Sequence, residues 1–190
     1  ARSGVDRSGV MSFSAIIVAA GTGSRAGEPK QWRRLGGRPV LRWSVEALLS
    51  AGATELAIVV APGADGLAAE ALAGLDGWFA VSGGATRAES VQAGLNALSA
   101  SPDARVLIHD AARPLLDLAT IHRVLNALEG HEAALPVLPV ADSLRRGTDG
   151  VMGESVSRDE LWRAQTPQGF RLDALRRAYA AWPGRATATD

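Results

Sequence analysis

Strand-sized apolar runs alternate with longer amphipathic stretches along most of this chain, and that rhythm constrains the fold more than any other feature. Residues 78–81 (WFAV) and 105–109 (RVLIH) read as strands, and residues 15–20 (AIIVAA) and 56–61 (LAIVVA) are continuous apolar runs. They lack the polar alternation of a half-solvated strand, which predicts strands buried on both faces. The intervening segments have helical spacing. Residues 40–51 carry Leu41, Val45, Leu48 and Leu49 between Pro39 and Gly52, matching the preference for proline at a helix start and glycine past its end. Residues 65–73 form a short alanine-rich helix. Residues 86–100 open on a capping-box sequence, Thr86-x-x-Glu89, with Ala88, Val91, Leu95 and Leu98 as the inward stripe. Residues 118–129 turn Ile121, Val124, Leu125 and Leu128 inward and stop at Gly130. A repeated strand–helix order predicts an α/β fold: a Rossmann-like, mostly parallel sheet with helices on both faces.

The rest of the chain departs from the rhythm. Residues 1–13 read as a tag or disordered tail, because no apolar segment of a signal peptide follows the opening ARSGVDRSGV. That leaves 14–190 as one domain. Residues 133–140 read as a strand interrupted by Pro136 and Pro139. Residues 141–163 are polar, contain Gly147, Gly150 and Gly153, and lack a core stripe; they predict an excursion from the body. Leu161 and Trp162 read as the point where the chain re-enters the interior. Residues 171–182 resume a helix through Leu172, Leu175, Tyr179 and Trp182.

Composition removes several functions. The 190 residues hold 20 basic and 20 acidic side chains, so the basic excess of a nucleic-acid binder is missing. There is no cysteine, hence no thiolate zinc site and no cysteine nucleophile. The three histidines show no metal-ligand spacing, and His109 reads as structural. The five tryptophans read as core or interface anchors. No apolar run approaches the ~20 residues that span a bilayer, so neither nucleic acid nor membrane is an expected partner.

Ligands of open α/β sheets bind outside the carboxyl ends of the strands, which directs attention to three loops. The first, Gly21-Thr22-Gly23-Ser24-Arg25-Ala26-Gly27-Glu28-Pro29-Lys30-Gln31, combines glycines that admit an anion to the backbone with two cations. Lys30 is the only lysine beside 19 arginines. The loop fits neither the dinucleotide-binding G-x-G-x-x-G pattern nor a Walker A sequence. The second loop joins Gly83-Gly84 to the capped helix start at Thr86, a polar or anion-binding arrangement. The third, His109-Asp110-Ala111-Ala112-Arg113-Pro114, offers Asp110 as a hard oxygen donor suited to Mg²⁺ or to orienting a substrate.

In order, AAGTGSRAGEPKQ, GGATRAESV, HDAARP, VADS and SRDELWRAQTPQGF resemble the 2-C-methyl-D-erythritol 4-phosphate cytidylyltransferase family over residues 14–190. The first motif marks only nucleotidyltransferases broadly; HDAARP, TPQ and the GG-x-x-R-x-x-S spacing are more specific. The resemblance implies transfer of a cytidylyl group from CTP to methylerythritol phosphate, with pyrophosphate released and Mg²⁺ required, in the non-mevalonate isoprenoid pathway. It implies a cytoplasmic homodimer. Arg25 and Lys30 match the cations on the triphosphate. Ala19, Ala20 and Gly84 match backbone contacts to the cytosine, Ser90 a side-chain contact to it, and Gly21 and Gly23 belong to the nucleotide loop. Asp110 matches the carboxylate near Mg²⁺. Arg113 and Ser143 match the methylerythritol phosphate side, with serine where threonine is usual.

Residues 141–163 resemble the family's protruding β-arm, which clasps a second subunit, and Arg158 matches an arm residue that reaches the partner's substrate phosphate. Some relatives are fused to the cyclodiphosphate synthase of the same pathway. Arg25 and Lys30 stand two positions closer than is common in the family, and Ala85 replaces a frequent aspartate. The family continues roughly 40 residues beyond a Thr-Asp like Thr189-Asp190, with a last helix, a further carboxylate and a second lysine. A cytidylyltransferase for another polyol phosphate, such as ribitol 5-phosphate, and a non-catalytic nucleotide-binding module remain alternatives.

Overall fold

The apolar run after Ser12 becomes strand β1 (Phe13–Ala19) and lies inside the sheet, paired on both edges. The computed structural model describes residues 12–21 and 29–182. A 3-10 turn (Lys30–Trp32) leads through a minimal hairpin of β2 (Arg34–Leu35) and β3 (Arg38–Pro39) into α1 (Val40–Ser50). The alternation continues with β4 (Ala53–Val60), α2 (Asp65–Ala71), β5 (Trp78–Ser82), α3 (Arg87–Ala97), β6 (Arg105–Asp110) and α4 (Leu118–Ala127). The chain then forms β7 (Ala133–Ala134), β8 (Val137–Pro139), β9 (Leu144–Thr148), β10 (Val151–Val156), β11 (Trp162–Ala164), β12 (Gln168–Arg171) and α5 (Leu172–Ala181).

The main sheet has the order β5-β4-β1-β6-β12-β7. Its first four strands are parallel, as the strand–helix rhythm requires. Successive β1 side chains point to opposite faces. Phe13, Ala15 and Ile17 join Leu41, Val45 and Leu48 of α1, Ala68 of α2 and Ile121 and Leu125 of α4 in one core layer. Ile16 joins Val91 and Leu95 of α3 and Leu172 and Leu175 of α5 in the other. The mostly parallel sheet with helices on both faces is therefore present, and the continuous hydrophobicity of β1 has its cause in burial from both sides.

Four expectations need correction. Phe13 is not tail: it pairs with Ala53 and is 2% exposed, so the folded body includes it. The strand expected over 133–140 splits, because Pro136 has no N–H to extend a ladder; β7 stays in the main sheet while β8 pairs with β11. Residues 168–171 enter the sheet as β12, antiparallel to β6, where no strand was expected. Leu161 and Trp162 do not enter the core: Trp162 is 59% exposed. None of the five tryptophans is fully buried. Their indole N–H groups require partners, and Trp43 and Trp78 find them in the carbonyls of Leu35 and Leu75.

Within the polar stretch, β9 and β10 form a hairpin that is separate from the main sheet. Its turn is Asp149-Gly150, both in the left-handed region at φ +51° and +79°, which is the geometry of a two-residue hairpin turn. No helix among the described residues is long and apolar enough to cross a membrane.

The packing of β12 makes one substitution diagnostic. A Cβ on Gly169 would lie 2.5 Å from Val124 Cγ1 and 3.1 Å from Leu107 Cδ2 and Leu128 Cδ1. Gly169→Ala is expected to lower unfolding stability by about 1–3 kcal/mol through overpacking, read as a lower denaturant midpoint with an unchanged slope.

Candidate active site

The carboxyl ends of β1, β5 and β6 open onto one cavity of about 440 Å³. Ala19, Ala20 and Gly21 line it from β1, Gly84 and Ser90 from the β5–α3 connection, and Asp110 from β6; Gln31, Ala85, Thr86 and Arg87 complete much of the wall. Six of the sequence-predicted site residues thus meet in one hollow. Gly23 and Arg25 lie outside the described residues.

Gln31 shapes the first wall. Its buried amide donates to the carbonyls of Ala19 at 2.7 Å and Gly21 at 3.0 Å. This ties the turn after the glycine-rich loop back to the end of β1. Lys30 precedes Gln31 and is exposed, and it is not among the residues that line the cavity. Gln31 carries no charge and breaks the Walker A pattern, so sequence reasoning used it only to exclude a motif.

The second wall depends on close approach. A Cβ on Gly83 would sit 2.8 Å from Ala20 Cβ and 2.8 Å from Ser90 Oγ. Only glycine allows the β5 loop to lie this near the end of β1. A Cβ on Gly84 would lie 2.4 Å from Glu89 Cβ. Glu89 is there because it closes the capping box, accepting from Thr86 N at 3.0 Å while Thr86 Oγ1 accepts from Glu89 N at 3.1 Å. Ser90 is buried, and its Oγ accepts from Gly84 N at 3.2 Å, which leaves its own proton to donate.

The third wall is electrostatic. Asp110 Oδ1 accepts from Arg87 Nε at 3.1 Å, and Oδ2 accepts from Arg113 Nε at 3.2 Å. Arg87 also reaches Gln168 Oε1, and a terminal guanidinium nitrogen of Arg113 donates to Gln165 Oε1 at 2.6 Å. One carboxylate therefore organises two guanidinium groups. Arg87 had a sequence signal, since it is the arginine of GG-x-x-R-x-x-S, but only the structure gives it Asp110 as a partner. Among the described residues no group of three or more His, Asp or Glu side chains could hold a metal ion.

His109 and Thr166 lie beneath this wall. His109 Nε2 meets Arg113 O at 3.0 Å and Nδ1 meets Thr166 Oγ1 at 2.9 Å. His109 is 1% exposed, and burial pushes its pKa down from 6.5 to about 4 against the opposing pull of the Arg113 carbonyl and Asp110. The folded state thus favours the neutral ring. Its contribution to stability is fully present above pH 6.5 and is lost as pH falls towards 4, a change on the order of 3 kcal/mol. Urea denaturation across that interval is expected to show the loss, and His109→Gln to flatten it.

The arm stands apart. Ser143 is exposed and lines neither this cavity nor the neighbouring hollow of about 490 Å³ that Arg113, His109 and Thr166 share with Leu138. Arg158 is exposed and donates to the carbonyl of Ala141 on its own arm. The described chain does not bring either residue to the cavity.

Known proteins resemble this chain over most of its length. The chain is 55% identical over 175 residues to the bifunctional enzyme IspD/IspF of Caulobacter vibrioides, covering 90% of this chain and 46% of that protein. It is 48% identical over 181 residues to the enzyme of the same name from Novosphingobium aromaticivorans, covering 94% and 47%. The chain spans about half the length of these curated relatives. Among solved structures, 2-C-methyl-D-erythritol 4-phosphate cytidylyltransferase from Thermus thermophilus superposes with a TM-score of 0.78 at 36% identity, covering 95% of this chain and 81% of that one. The bifunctional IspDF of Campylobacter jejuni gives 0.76 at 25% identity, covering 94% and 45%. A sequence model of one family matches residues 13–190, and with that match the chain belongs to the 2-C-methyl-D-erythritol 4-phosphate cytidylyltransferase (IspD) family.

Proposed function

We propose that this chain carries the cytidylyl transfer after which its family is named. A phosphate oxygen of methylerythritol phosphate attacks the α-phosphorus of CTP in line. The bond from that phosphorus to the bridging oxygen breaks, and pyrophosphate leaves. The attacking phosphate is already a nucleophile, so the protein's part is positioning and charge stabilisation. The observation that carries the reading is the convergence of Ala19–Gly21, Gly84, Ser90 and Asp110 on one cavity at the strand ends.

In this reading the backbone of Ala19, Ala20 and Gly84 and the hydroxyl of Ser90 select the cytosine. Gly21, Gly23, Arg25 and Lys30 hold the triphosphate. Arg113 receives the polyol phosphate from the neighbouring hollow, and the family resemblance assigns Ser143, which stands outside both hollows here, to the same side. Mg²⁺ is commonly held by one or two carboxylates together with substrate phosphates, and Asp110 suits that donor set as the one carboxylate that the described residues place on the cavity wall. Arg87 and Arg113 beside it disfavour a bare cation, which favours one that enters with the triphosphate. When bound, the ion supplies charge neutralisation on the phosphates.

The hairpin arm over residues 141–163 clasps a second copy and offers Arg158 to the partner's substrate. Beside its turn stand two exposed apolar side chains, Val151 at 70% and Met152 at 74% exposure, of the kind a dimer contact buries. The chain acts in the cytoplasm as the cytidylyltransferase part of a longer protein joined to the cyclodiphosphate synthase, like the bifunctional relatives.

Pyrophosphate release by the full chain tests the reading. It should require CTP, methylerythritol phosphate and Mg²⁺ together. A preference for ribitol 5-phosphate would replace the substrate, and CTP binding without turnover would replace the activity.

A further inference from the structure

We propose that His109 is a positioning residue for this site, the centre of a one-directional hydrogen-bond chain that holds Asp110 and Arg113 in a fixed relation; the proposal rests on the cytidylyltransferase reading above. The direction follows from the chemistry of each group. The Arg113 carbonyl can only accept, so His109 Nε2 carries the proton in their 3.0 Å contact. In a neutral ring Nδ1 is then an acceptor, and Thr166 Oγ1 must donate to it across 2.9 Å. The same hydroxyl oxygen accepts from Asp110 N at 3.4 Å. The chain runs from Asp110 N–H through the Thr166 hydroxyl to His109, and from His109 N–H to Arg113.

His109 and Thr166 are both buried, and an imidazole is costly to bury unless both nitrogens are satisfied. Here both are satisfied, and the two ends of the chain meet the residues proposed to face the metal-bearing triphosphate and the polyol phosphate. Gln165, adjacent to Thr166, holds the Arg113 guanidinium from outside. The Gln165–Thr166 pair follows directly on β11, so the return strand of the arm excursion fixes the same two site residues. No step of the proposed transfer uses His109 itself.

Two conservative variants separate the links. H109N keeps an acceptor near the Nδ1 position and loses the donor to Arg113. H109Q keeps a donor near the Nε2 position and loses the acceptor for Thr166. In the full chain, H109N is expected to raise KM for methylerythritol phosphate on the order of tenfold with kcat nearly kept. H109Q is expected to lower kcat on the order of tenfold per folded molecule, and KM for CTP should stay unchanged in both. The ¹⁵N resonances of His109, identified by their loss in H109Q, should show a protonated Nε2 and an unprotonated Nδ1.

If both variants lose kcat only in step with their folded fraction, with every KM unchanged, His109 merely packs and the proposal falls. A protonated Nδ1 in the neutral ring also overturns it. Should the His109 variants fail to fold, T166V carries the test: it removes the hydroxyl from the same chain and must reproduce the expected kcat loss of H109Q. An inactive wild type overturns the cytidylyltransferase reading and this proposal with it. An active wild type with unsplit variants overturns this proposal alone.

Discussion

Lys30→Ala is expected to reduce kcat for pyrophosphate release by about two to three orders of magnitude while leaving the melting temperature nearly unchanged. The size follows from the loss of a fixed charge aimed at developing phosphate charge, which is comparable to removing an oxyanion donor. The selectivity follows from the structure. Lys30 is exposed, and what it contributes to the local fold is a backbone carbonyl that closes the 3-10 turn by accepting from Arg33 N. The anchor of that turn is the neighbouring Gln31 amide on Ala19 and Gly21, which the substitution leaves in place. Lys30→Arg should recover only part of the rate, since a planar guanidinium does not replace a compact ammonium on a flexible stem. In a chain with 19 arginines and one lysine, that difference gives the single lysine its meaning. Unimpaired turnover in Lys30→Ala would remove Lys30 from the triphosphate.

The elements that sequence made legible are those whose environment leaves a local trace. Burial on both faces writes itself into AIIVAA and LAIVVA as unbroken hydrophobicity. The capping box of α3 is stated by Thr86 and Glu89 alone, because both partners lie within one turn. β12 left no such trace. It has four residues, Gln168–Arg171, with a glycine among them, and it becomes a strand because β6 offers it an edge. That pairing joins positions 60 or more apart in sequence, such as Gln168 and Ile108, and nothing local announces it. The turn of the arm does leave a local trace: Asp149-Gly150 is a strong two-residue hairpin signal.

The candidate site divides along the same line. Backbone-shaping residues are visible in the sequence, since Gly83-Gly84 directly precedes the capped start of α3. Charges were visible as residue types but not as partners. Asp110 ends β6, Arg87 opens α3 and Arg113 lies in the loop after β6, and their mutual placement depends on β5 and β6 ending at the same height of the sheet. Thr166 and Gln165 are legible only as parts of a motif, because their roles depend on the connection from β11, which pairs with β8, into β12, which pairs with β6. A hydroxyl or an amide acquires a role from its partners, and here those partners are more than 50 residues away, as for Thr166 with His109 and Gln165 with Arg113.

Asp110→Asn tests whether that carboxylate serves the reaction or only the arginines beside it. The substitution keeps shape and one carbonyl oxygen but turns the other oxygen into an N–H₂ donor facing a guanidinium. Arg87 and Arg113 then face each other with no anion between them. Stability should fall by no more than about 1 kcal/mol, since Arg113 and Arg87 remain partly exposed and water screens such pairs. The kcat should fall on the order of a hundredfold or more, and the Mg²⁺ concentration for half-maximal rate should rise, because a hard oxygen donor has been lost. The metal titration separates the two roles. Saturating Mg²⁺ should restore part of the rate, and the remainder should stay lost because Arg113 is no longer held against the polyol phosphate. Full recovery at high Mg²⁺ would confine Asp110 to metal binding. A wild-type rate at every Mg²⁺ concentration would mean that the two arginines are its only partners and that the cavity draws its catalytic charge from Lys30 and the glycine-rich loop instead.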